Sequence, residues 1–185
     1  HNYLVQRVED IAPTIAEAFY LAKSGRPGPV LVDIPKNVFV AKTEYNWPAT
    51  VGRKSYQPTT VPNIRQVRLA AEEIARAKKP LIMAGHGIIL SGAEEEFQQF
   101  AEKTGMPVIY TLLGLGAMSE LHPLSLDMMG MHGHREVNRA LEECDLLVNI
   151  GARFDDRATG RLNGFAPNAR VIHVDIDPAE IGKNV

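Results

Sequence analysis

The residues of this chain best suited to chemistry form a charged loop, Gly151–Arg157, which follows an almost entirely apolar segment. Arg153 and Arg157 carry guanidinium groups, whose geometry matches the oxygen atoms of a pyrophosphate. Asp155 and Asp156 could accept hydrogen bonds from ribityl or ribose hydroxyls. The alternative is a solvated turn in which the four charges pair locally. Acid–base catalysis by the adjacent carboxylates is disfavoured, because the flanking arginines should keep both ionised.

A second segment with a glycine pattern is Gly85-His86-Gly87, followed by Gly92 and Ala93. Glycines between a strand and a helix let backbone N–H groups approach a phosphate at the positive helix N-terminus. The dinucleotide fingerprint is incomplete, because Leu90 occupies its third glycine position. A Walker loop is excluded, because Ala93 stands where lysine is required. A glycine-bearing turn without a ligand is the alternative.

Two more glycine-rich loops are Thr111–Gly116 and Met129–Gly133. Their glycines permit the backbone to lie close to a flat ligand, and their leucines and methionines offer an adaptable apolar wall. The methionines could equally fill the core. His132 and His134 are interpreted as exposed loop residues, since a zinc site needs further ligands that the sequence does not supply.

Acidic residues mark the last candidate segment. Asp175 is predicted to close a strand over Val171–Ile176, where doubly wound folds place an acid on a ribose hydroxyl. Asp177 is interpreted as the N-cap of a following helix, with Pro178 at the first helical position and Glu180 at capping-box spacing. Together the loops suit a large dinucleotide, and the residues alone do not separate FAD from NAD or a CoA-type ligand.

The elements that position these loops alternate between apolar strands and amphipathic helices. The predicted strands are Pro80–Ala84, Pro107–Tyr110, Asp145–Ile150 and Val171–Ile176; the predicted helices are Ile64–Ala75 with Asn63 as cap, Glu94–Lys103 with Gly105 as C-cap, and Arg135–Cys144. Apolar strands alternating with helices imply a parallel sheet covered on both faces. We therefore predict an α/β fold with a doubly wound, Rossmann-like parallel sheet and ligands at the carboxyl ends of the strands.

The first part of the chain has a different pattern. A helix is predicted from Ile11 to Ala22, and a short strand over Val30–Ile34 between two prolines. Periodicity is then lost among Trp47-Pro48, Gly52, Pro58 and Pro62, which is typical of a linker. We expect the end of one domain at residues 1–40, a linker at 41–61 and the main domain at 62–185.

The composition excludes several classes of protein. A formal charge of −2 without a long Lys/Arg run argues against nucleic acid as a partner. No apolar stretch reaches the roughly 20 residues that span a bilayer. Cys144 is the only cysteine, so no intrachain disulfide or cysteine metal cluster is expected, and a cytoplasmic setting is predicted. The N-terminus has no initiator Met or signal pattern, and we expect the middle of a longer chain.

Several segments together resemble the large, catalytic subunit of the acetohydroxyacid (acetolactate) synthase family. They are Ser24–Lys36, Thr111–Gly116, Met131–Gly133, Gly151–Arg157 and His173–Asn184. The resemblance covers nearly the whole chain, and its most specific part is Phe154-Asp155-Asp156-Arg157. The first segment is shared with related decarboxylases and carboligases, so by itself it marks only the superfamily.

The resemblance implies that residues 1–40 end a pyrimidine-binding domain and that residues 62–185 are a central FAD-binding domain. It implies a parent enzyme that condenses pyruvate with a second 2-oxoacid, using thiamine diphosphate and Mg²⁺, in branched-chain amino-acid biosynthesis. FAD would bind without a redox role in the turnover. The parent would be a homo-oligomer that can take a regulatory subunit.

By position, the resemblance assigns the FAD contacts to a set of loop residues. They are Gly85, His86, Gly87, Thr111, Leu112, Leu113, Gly114, Met129, Gly130, Met131, His132, Gly151, Ala152, Arg153, Phe154, Asp155, Asp175 and Ile176. It places Asp156 and Arg157 near the substrate channel to the thiamine. Many family members carry three glycines where this chain has Gly85-His86-Gly87, so it departs from the pattern at His86.

The family's activating glutamate and magnesium-diphosphate motif do not occur in the sequence. The chain also stops at Val185, before a glycine-Asp loop expected to finish the adenine site. We therefore expect no catalytic or metal-binding residue here and no catalysis by this chain alone. The alternatives are a sister enzyme, such as pyruvate oxidase or glyoxylate carboligase, and a stand-alone nucleotide-binding module. The segment Ser24–Lys36 with the long linker favours an enzyme over such a module.

Overall fold

The computed structural model describes residues 1–53 and 55–185. Within the predicted linker, Lys54 lies outside the described residues. The chain divides into two compact units, residues 1–60 and residues 61–185. The domain assignment predicted for the whole protein stays a prediction.

The first unit is built on a small parallel sheet. Its strands are β1 (Asn2–Leu4) and β2 (Leu31–Asp33), joined through helix α1 (Ile11–Lys23), and a short helix α2 (Lys36–Phe39) follows. The predicted helix and strand are thus confirmed. The segment after α2 is held on α1, because the hydroxyl of Tyr56 donates to the carbonyl of Ser24 at 2.9 Å.

The second unit contains one sheet of five parallel strands. They are β3 (Pro80–Ala84), β4 (Val108–Tyr110), β5 (Ser125–Met128), β6 (Leu146–Ile150) and β7 (Arg170–Val174), in the order β5-β4-β3-β6-β7. The chain starts in the middle of the sheet, moves outward to β5, returns beside β3 and moves outward again to β7. This path confirms the predicted doubly wound parallel sheet and places its switch point between β3 and β6.

The helices of this unit are α3 (Ile64–Arg76), α4 (His86–Ser91), α5 (Glu94–Thr104), α6 (Arg135–Glu143) and α7 (Asp156–Thr159). Three of the five, α3, α5 and α6, lie where the sequence predicts them. The side chain of Asn63 caps α3 by accepting from the N–H groups of Arg65 and Gln66 at 3.0 and 3.3 Å. Gly105 ends α5 with φ of +66°, a left-handed conformation that favours glycine.

Two apolar layers hold the sheet, because successive strand residues point to opposite faces. One layer contains Leu81, Met83, Ile109 and Leu147 with Val137 and Leu141 of α6; the other contains Ile82, Val108, Tyr110 and Val148 with Phe97 and Ala101 of α5. Burial of one such large aliphatic side chain contributes roughly 1.5–3 kcal/mol. The layers therefore explain why the strands are apolar throughout.

Two details of the sheet differ from the sequence prediction. The strand β5 was missed because it is an edge strand with an interrupted register and Asp127 at φ of +87°. The last strand ends at Val174 rather than Ile176, so Asp175 lies just beyond it.

Among the helices, the short α7 was not predicted, and two predicted helix starts differ from the structure. Helix α4 already begins at His86, so Gly85-His86-Gly87 is not a free loop. No helix follows Asp177 within the described residues. Its carboxylate accepts from the N–H of Ala179 at 3.0 Å, but the chain only turns there. Glu180 pairs with Lys183.

Candidate functional site

The candidate site lies at the carboxyl edge of the five-stranded sheet. Because all five strands are parallel, the loops that follow them meet at this one edge. Each strand is followed directly by a residue that the sequence analysis singled out: Gly85, Thr111, Met129, Gly151 and Asp175. The fold thus brings the predicted loops to the same side of the domain.

At the switch point, the loops after β3 and β6 touch through their backbones. The N–H of Gly85 donates to the carbonyl of Ile150 at 2.9 Å, and that of Gly87 to the carbonyl of Gly151 at 3.0 Å. A Cβ atom at Gly85 would clash with the Gly151 carbonyl, and one at Gly87 would lie 2.7 Å from the Gly151 Cα. These N–H groups are therefore satisfied inside the protein. The expectation that they face a phosphate gives way to a packing role for the glycines.

His86 connects the first two loops. Its Nδ1 lies 2.9 Å from the carbonyl oxygen of Leu113, and since that oxygen can only accept, Nδ1 is the donor. The N–H of Thr111 donates to the carbonyl of Ala84 at 3.0 Å. A side chain at Gly114 would clash with the same carbonyl. The predicted residues of these two loops are thus fixed to one another.

The loop after β5 reaches the loop after β6. Gly130, at φ of +99°, donates its N–H to Oδ1 of Asn138 at 2.9 Å and accepts from Nδ2 of the same amide at 3.0 Å. The N–H of Met131 donates to the carbonyl of Arg157 at 3.2 Å. The Met129 side chain is buried, whereas His132 is exposed and Met131 is 61% exposed.

The charged loop is partly committed to its own structure. Oδ1 of Asp155 caps α7 by accepting from the N–H groups of Arg157 and Ala158 at 3.1 and 3.0 Å. Oδ2 of Asp155 lies 3.4 Å from Nε of Arg153, whose side chain is 57% exposed. Asp156 and Arg157 lie on α7 with exposed side chains. Of the two predicted acceptors, Asp155 thus caps a helix, and the side chain of Asp156 is exposed to solvent.

Phe154 turns inward. Its side chain is buried and packs edge-on against Phe165 and His173, with ring centroids 5.6 and 5.0 Å away. This aromatic contact anchors the charged loop in the core. The side chain of Phe154 is therefore not at the edge where a cofactor contact was predicted.

Two residues that the sequence analysis missed lie beneath this loop. Asn149 on β6 donates from Nδ2 to the carbonyl oxygen of Ala152 at 2.5 Å, and Nε2 of His173 on β7 lies 3.1 Å from the same oxygen. The carbonyl can only accept, so Nε2 of His173 is protonated. The available signal was an asparagine inside the otherwise apolar strand Leu146–Ile150.

The side chain of Asp175, for which a ribose contact is predicted, is mostly buried. Its Oδ1 accepts from the N–H of Asp177 at 2.9 Å, and its Oδ2 lies 3.8 Å from Nε2 of His173. Its side chain is 10% exposed, and Ile176 beside it is half-buried. The carboxylate therefore presents only a small surface to a ligand.

Away from the edge, ionisable groups have structural roles. Burial, followed by the charge of Asp145, raises the pKa of the Cys144 thiol to about 11, so this buried thiol is protonated at neutral pH. Backbone N–H groups of Lys78 and Lys79 lower the pKa of the Asp145 carboxyl.

Among residues 1–53 and 55–185, no three His, Cys, Asp or Glu residues are grouped as a metal site requires. None of the helices in that part of the chain is long and apolar enough to cross a membrane.

The edge as a whole combines cationic and apolar surface. The exposed guanidinium of Arg153 suits a phosphate, and the side chains of Leu112, Leu113 and Met131 are all more than half exposed. Such an arrangement can bind an elongated anion that carries a flat apolar group.

Comparison with known proteins identifies relatives of this chain. The chain is 50% identical over 184 residues to an acetolactate synthase from Mycobacterium leprae, a match that spans all of this chain and 29% of that protein. It is 50% identical to the large subunit of acetolactate synthase from Corynebacterium glutamicum, over 99% of this chain and 29% of the relative. A probable acetolactate synthase large subunit from Methanocaldococcus jannaschii is 48% identical over all of this chain and 32% of its own length. The predicted resemblance is confirmed, and the chain spans about a third of the length of these relatives.

A solved structure and a family model agree with the sequence relatives. The X-ray structure of a thiamin diphosphate-dependent enzyme from Mycobacterium smegmatis matches with a TM-score of 0.77 and 27% identity, over 98% of this chain and 35% of that one. Residues 67–185 match the family described as thiamine pyrophosphate enzyme, central domain. The chain therefore belongs to the thiamine pyrophosphate enzyme family, of which it contains the central domain.

Proposed function

We propose that this chain is the FAD-binding central part of an acetolactate synthase large subunit. The observation that carries the proposal is the identity of about one half with acetolactate synthases along the entire chain, together with the five loops at one sheet edge. The whole protein would condense pyruvate with a second 2-oxoacid for branched-chain amino-acid biosynthesis. It would act as a cytoplasmic homo-oligomer that takes a regulatory subunit.

The residues at the carboxyl edge fit FAD by their chemistry. Arg153 would hold the pyrophosphate, since its exposed side chain makes one long ion pair among the described residues, to Asp155. Leu112, Leu113 and Met131 would pack against the flat ring system. The exposed part of the Asp175 carboxylate would accept a hydrogen bond from a hydroxyl of the adenosine ribose.

The catalytic cofactors would bind outside these residues. Thiamine diphosphate supplies the carbanion chemistry of such enzymes, and Mg²⁺ would anchor its diphosphate. Asp156 and Arg157, exposed on α7, would face the channel by which 2-oxoacids reach the thiamine. FAD would have a structural rather than a redox role.

The proposed division of the chain has residues 1–40 closing the pyrimidine-binding domain, a linker at 41–61 and the central domain at 62–185. A unit boundary between Thr60 and Val61 and a family match that begins at residue 67 support the second boundary.

The proposal is tested with the full-length protein that carries this chain. FAD content is measured from absorbance near 450 nm, and acetolactate formation from pyruvate is measured with thiamine diphosphate and Mg²⁺ present. Arg153→Ala should weaken FAD binding ten- to a hundredfold, as expected for about 1.5–3 kcal/mol of charge-assisted hydrogen bonds. The matched control is Arg135→Ala, which removes an exposed arginine from the start of α6.

Two results would contradict the proposal. Wild-type protein without any affinity for FAD would exclude the cofactor, and equal FAD retention in the two arginine variants would exclude the proposed place of the pyrophosphate. A wild-type protein that forms no acetolactate would exclude the reaction.

A further inference from the structure

Two polar side chains lie inside the apolar layer beneath the charged loop. Asn149 and His173 are paired across β6 and β7 in the register of the sheet. Asn149 is fully buried, and the side chain of His173 is 6% exposed. Both point a nitrogen at one oxygen, the carbonyl of Ala152, at 2.5 and 3.1 Å.

Packing alone does not explain these two residues. The other residues of β6 are leucine, valine and isoleucine, and leucine in place of Asn149 would fill a similar volume without a desolvated amide. Oδ1 of Asn149 and Nδ1 of His173 are buried without a hydrogen-bond partner in the part of the chain that the structure describes. Buried polar groups without a hydrogen-bond partner need an explanation in a native structure. The contact that Asn149 and His173 share is the one with the carbonyl of Ala152.

The shared contact fixes the orientation of one peptide group. The carbonyl of Ala152 points inward, toward Asn149 and His173. The chain has no cis peptide bond among its described residues, and in a planar trans peptide the N–H points opposite to the C=O. The N–H of Arg153 therefore points away from Asn149 and His173.

The neighbouring residues hold the same peptide from both sides. Gly151 has φ of +67° and donates its N–H to the carbonyl of Val174 at 2.8 Å. On the other side, Phe154 packs in the core against Phe165, and Asp155 caps α7. The peptide between Ala152 and Arg153 is thus the one whose orientation depends on the two polar side chains.

We propose that Asn149 and His173 are positioning residues of the cofactor site, which aim the backbone N–H of Arg153 at a phosphate group of the ligand. The inference rests on the proposed function for the identity of that ligand as FAD. It adds a backbone donor beside the Arg153 guanidinium and a buried pair that orients it. Loss of either polar side chain frees the peptide to rotate.

The experiment uses the full-length protein and two substitutions that keep shape while removing a donor. His173→Phe retains an aromatic ring against Phe154, and Asn149→Leu retains the volume in β6. The control is Ile172→Val, which trims a partly buried side chain next to His173 that packs in the opposite layer. We expect each polar variant to raise the dissociation constant for added FAD about tenfold, as for one hydrogen bond to a charged group. The control should stay within twofold of wild type.

A second measurement does not depend on FAD. Trypsin cleaves after arginine, so the rate of cleavage after Arg153 in the protein stripped of flavin reports the order of this loop. His173→Phe and Asn149→Leu should be cleaved several times faster there than Ile172→Val, at a temperature below all melting transitions. A role in stability alone would move the control together with the variants.

The outcomes separate this inference from the proposed function. If wild type binds FAD and the polar variants match the control in affinity and in cleavage, the positioning role is wrong while the cofactor stands. If wild type does not bind FAD, the proposed function is wrong. The positioning role is then tested by the rate of cleavage after Arg153 alone, and equal rates in the variants and the control would overturn it.

Discussion

The backbones of Gly87 and Gly151 touch at the switch point, and from this contact we predict how far Gly151→Ala lowers stability. Gly151 has φ of +67°, and an added Cβ would lie 2.7 Å from the Cα of Gly87 and 3.0 Å from the N atoms of Gly87 and Ile88. Gly105, at the end of α5, has nearly the same φ, +66°, but nothing lies within 4 Å of an added Cβ. The pair therefore separates backbone strain from steric overlap.

The magnitudes follow from these two environments. A left-handed alanine costs about 1–2 kcal/mol, and both variants bear this cost. Overpacking costs about 1–3 kcal/mol more, and only Gly151→Ala bears it, because its neighbours are backbone atoms that cannot rotate away. We expect losses of unfolding free energy of about 1–2 kcal/mol for Gly105→Ala and about 2–5 kcal/mol for Gly151→Ala.

The assay is thermal unfolding of the full-length protein, followed by the FAD titration described above. Gly151→Ala should show about twice the shift of Gly105→Ala and should also lose FAD affinity. Equal shifts in Tm would refute the argument that Gly151 is required for close packing against Gly87 rather than for its backbone angle.

Three further predictions concern charge, the thiol and activity. Backbone hydrogen bonds from Lys78 and Lys79 hold the pKa of Asp145 below its usual value. Its stabilising effect is therefore fully present above the unfolded pKa, near 4, and is lost as pH falls through the folded pKa. Asp145→Asn should destabilise more at pH 7 than at pH 2.5, and an equal loss at both values in denaturant titrations would contradict this. The Cys144 thiol, with its pKa raised to about 11 by burial, should react with a thiol-specific dye only at the rate of unfolding, and rapid labelling of the folded protein would show the thiol to be accessible. The 185-residue chain by itself should form no acetolactate from pyruvate with thiamine diphosphate and Mg²⁺, and measurable product would place catalytic groups within it.

The sheet could be predicted because its determinants are local. Strands such as Leu146–Ile150 are apolar runs, and the start of α3 at Asn63 and the end of α5 at Gly105 are set by single residues. The sequence also identified which loops gather at one edge, because parallel strands share a direction. β5 was missed since its pairing depends on β4 and not on its own pattern.

The contacts within the edge could not be predicted in the same way. Glycines at Gly85 and Gly87 were read as room for a ligand, but the room is filled by Gly151. Asp155 was expected to meet a sugar and instead caps α7. Gly151 lies far from Gly85 and Gly87 in the sequence, so a local pattern could not identify it as their partner, whereas the cap at Asp155 is local.

The strand order has a consequence for synthesis on the ribosome. β3 is the first strand of its sheet to emerge, yet it is the central one, with β4 on one side and β6 on the other. One side of β3 can pair soon with β4, while the other waits for Ile150, well after Ala84. At elongation rates of about 5–20 residues per second, this unpaired edge of β3 is exposed for on the order of several seconds. A nascent chain paused in that interval would present β3 to chaperones or to other chains.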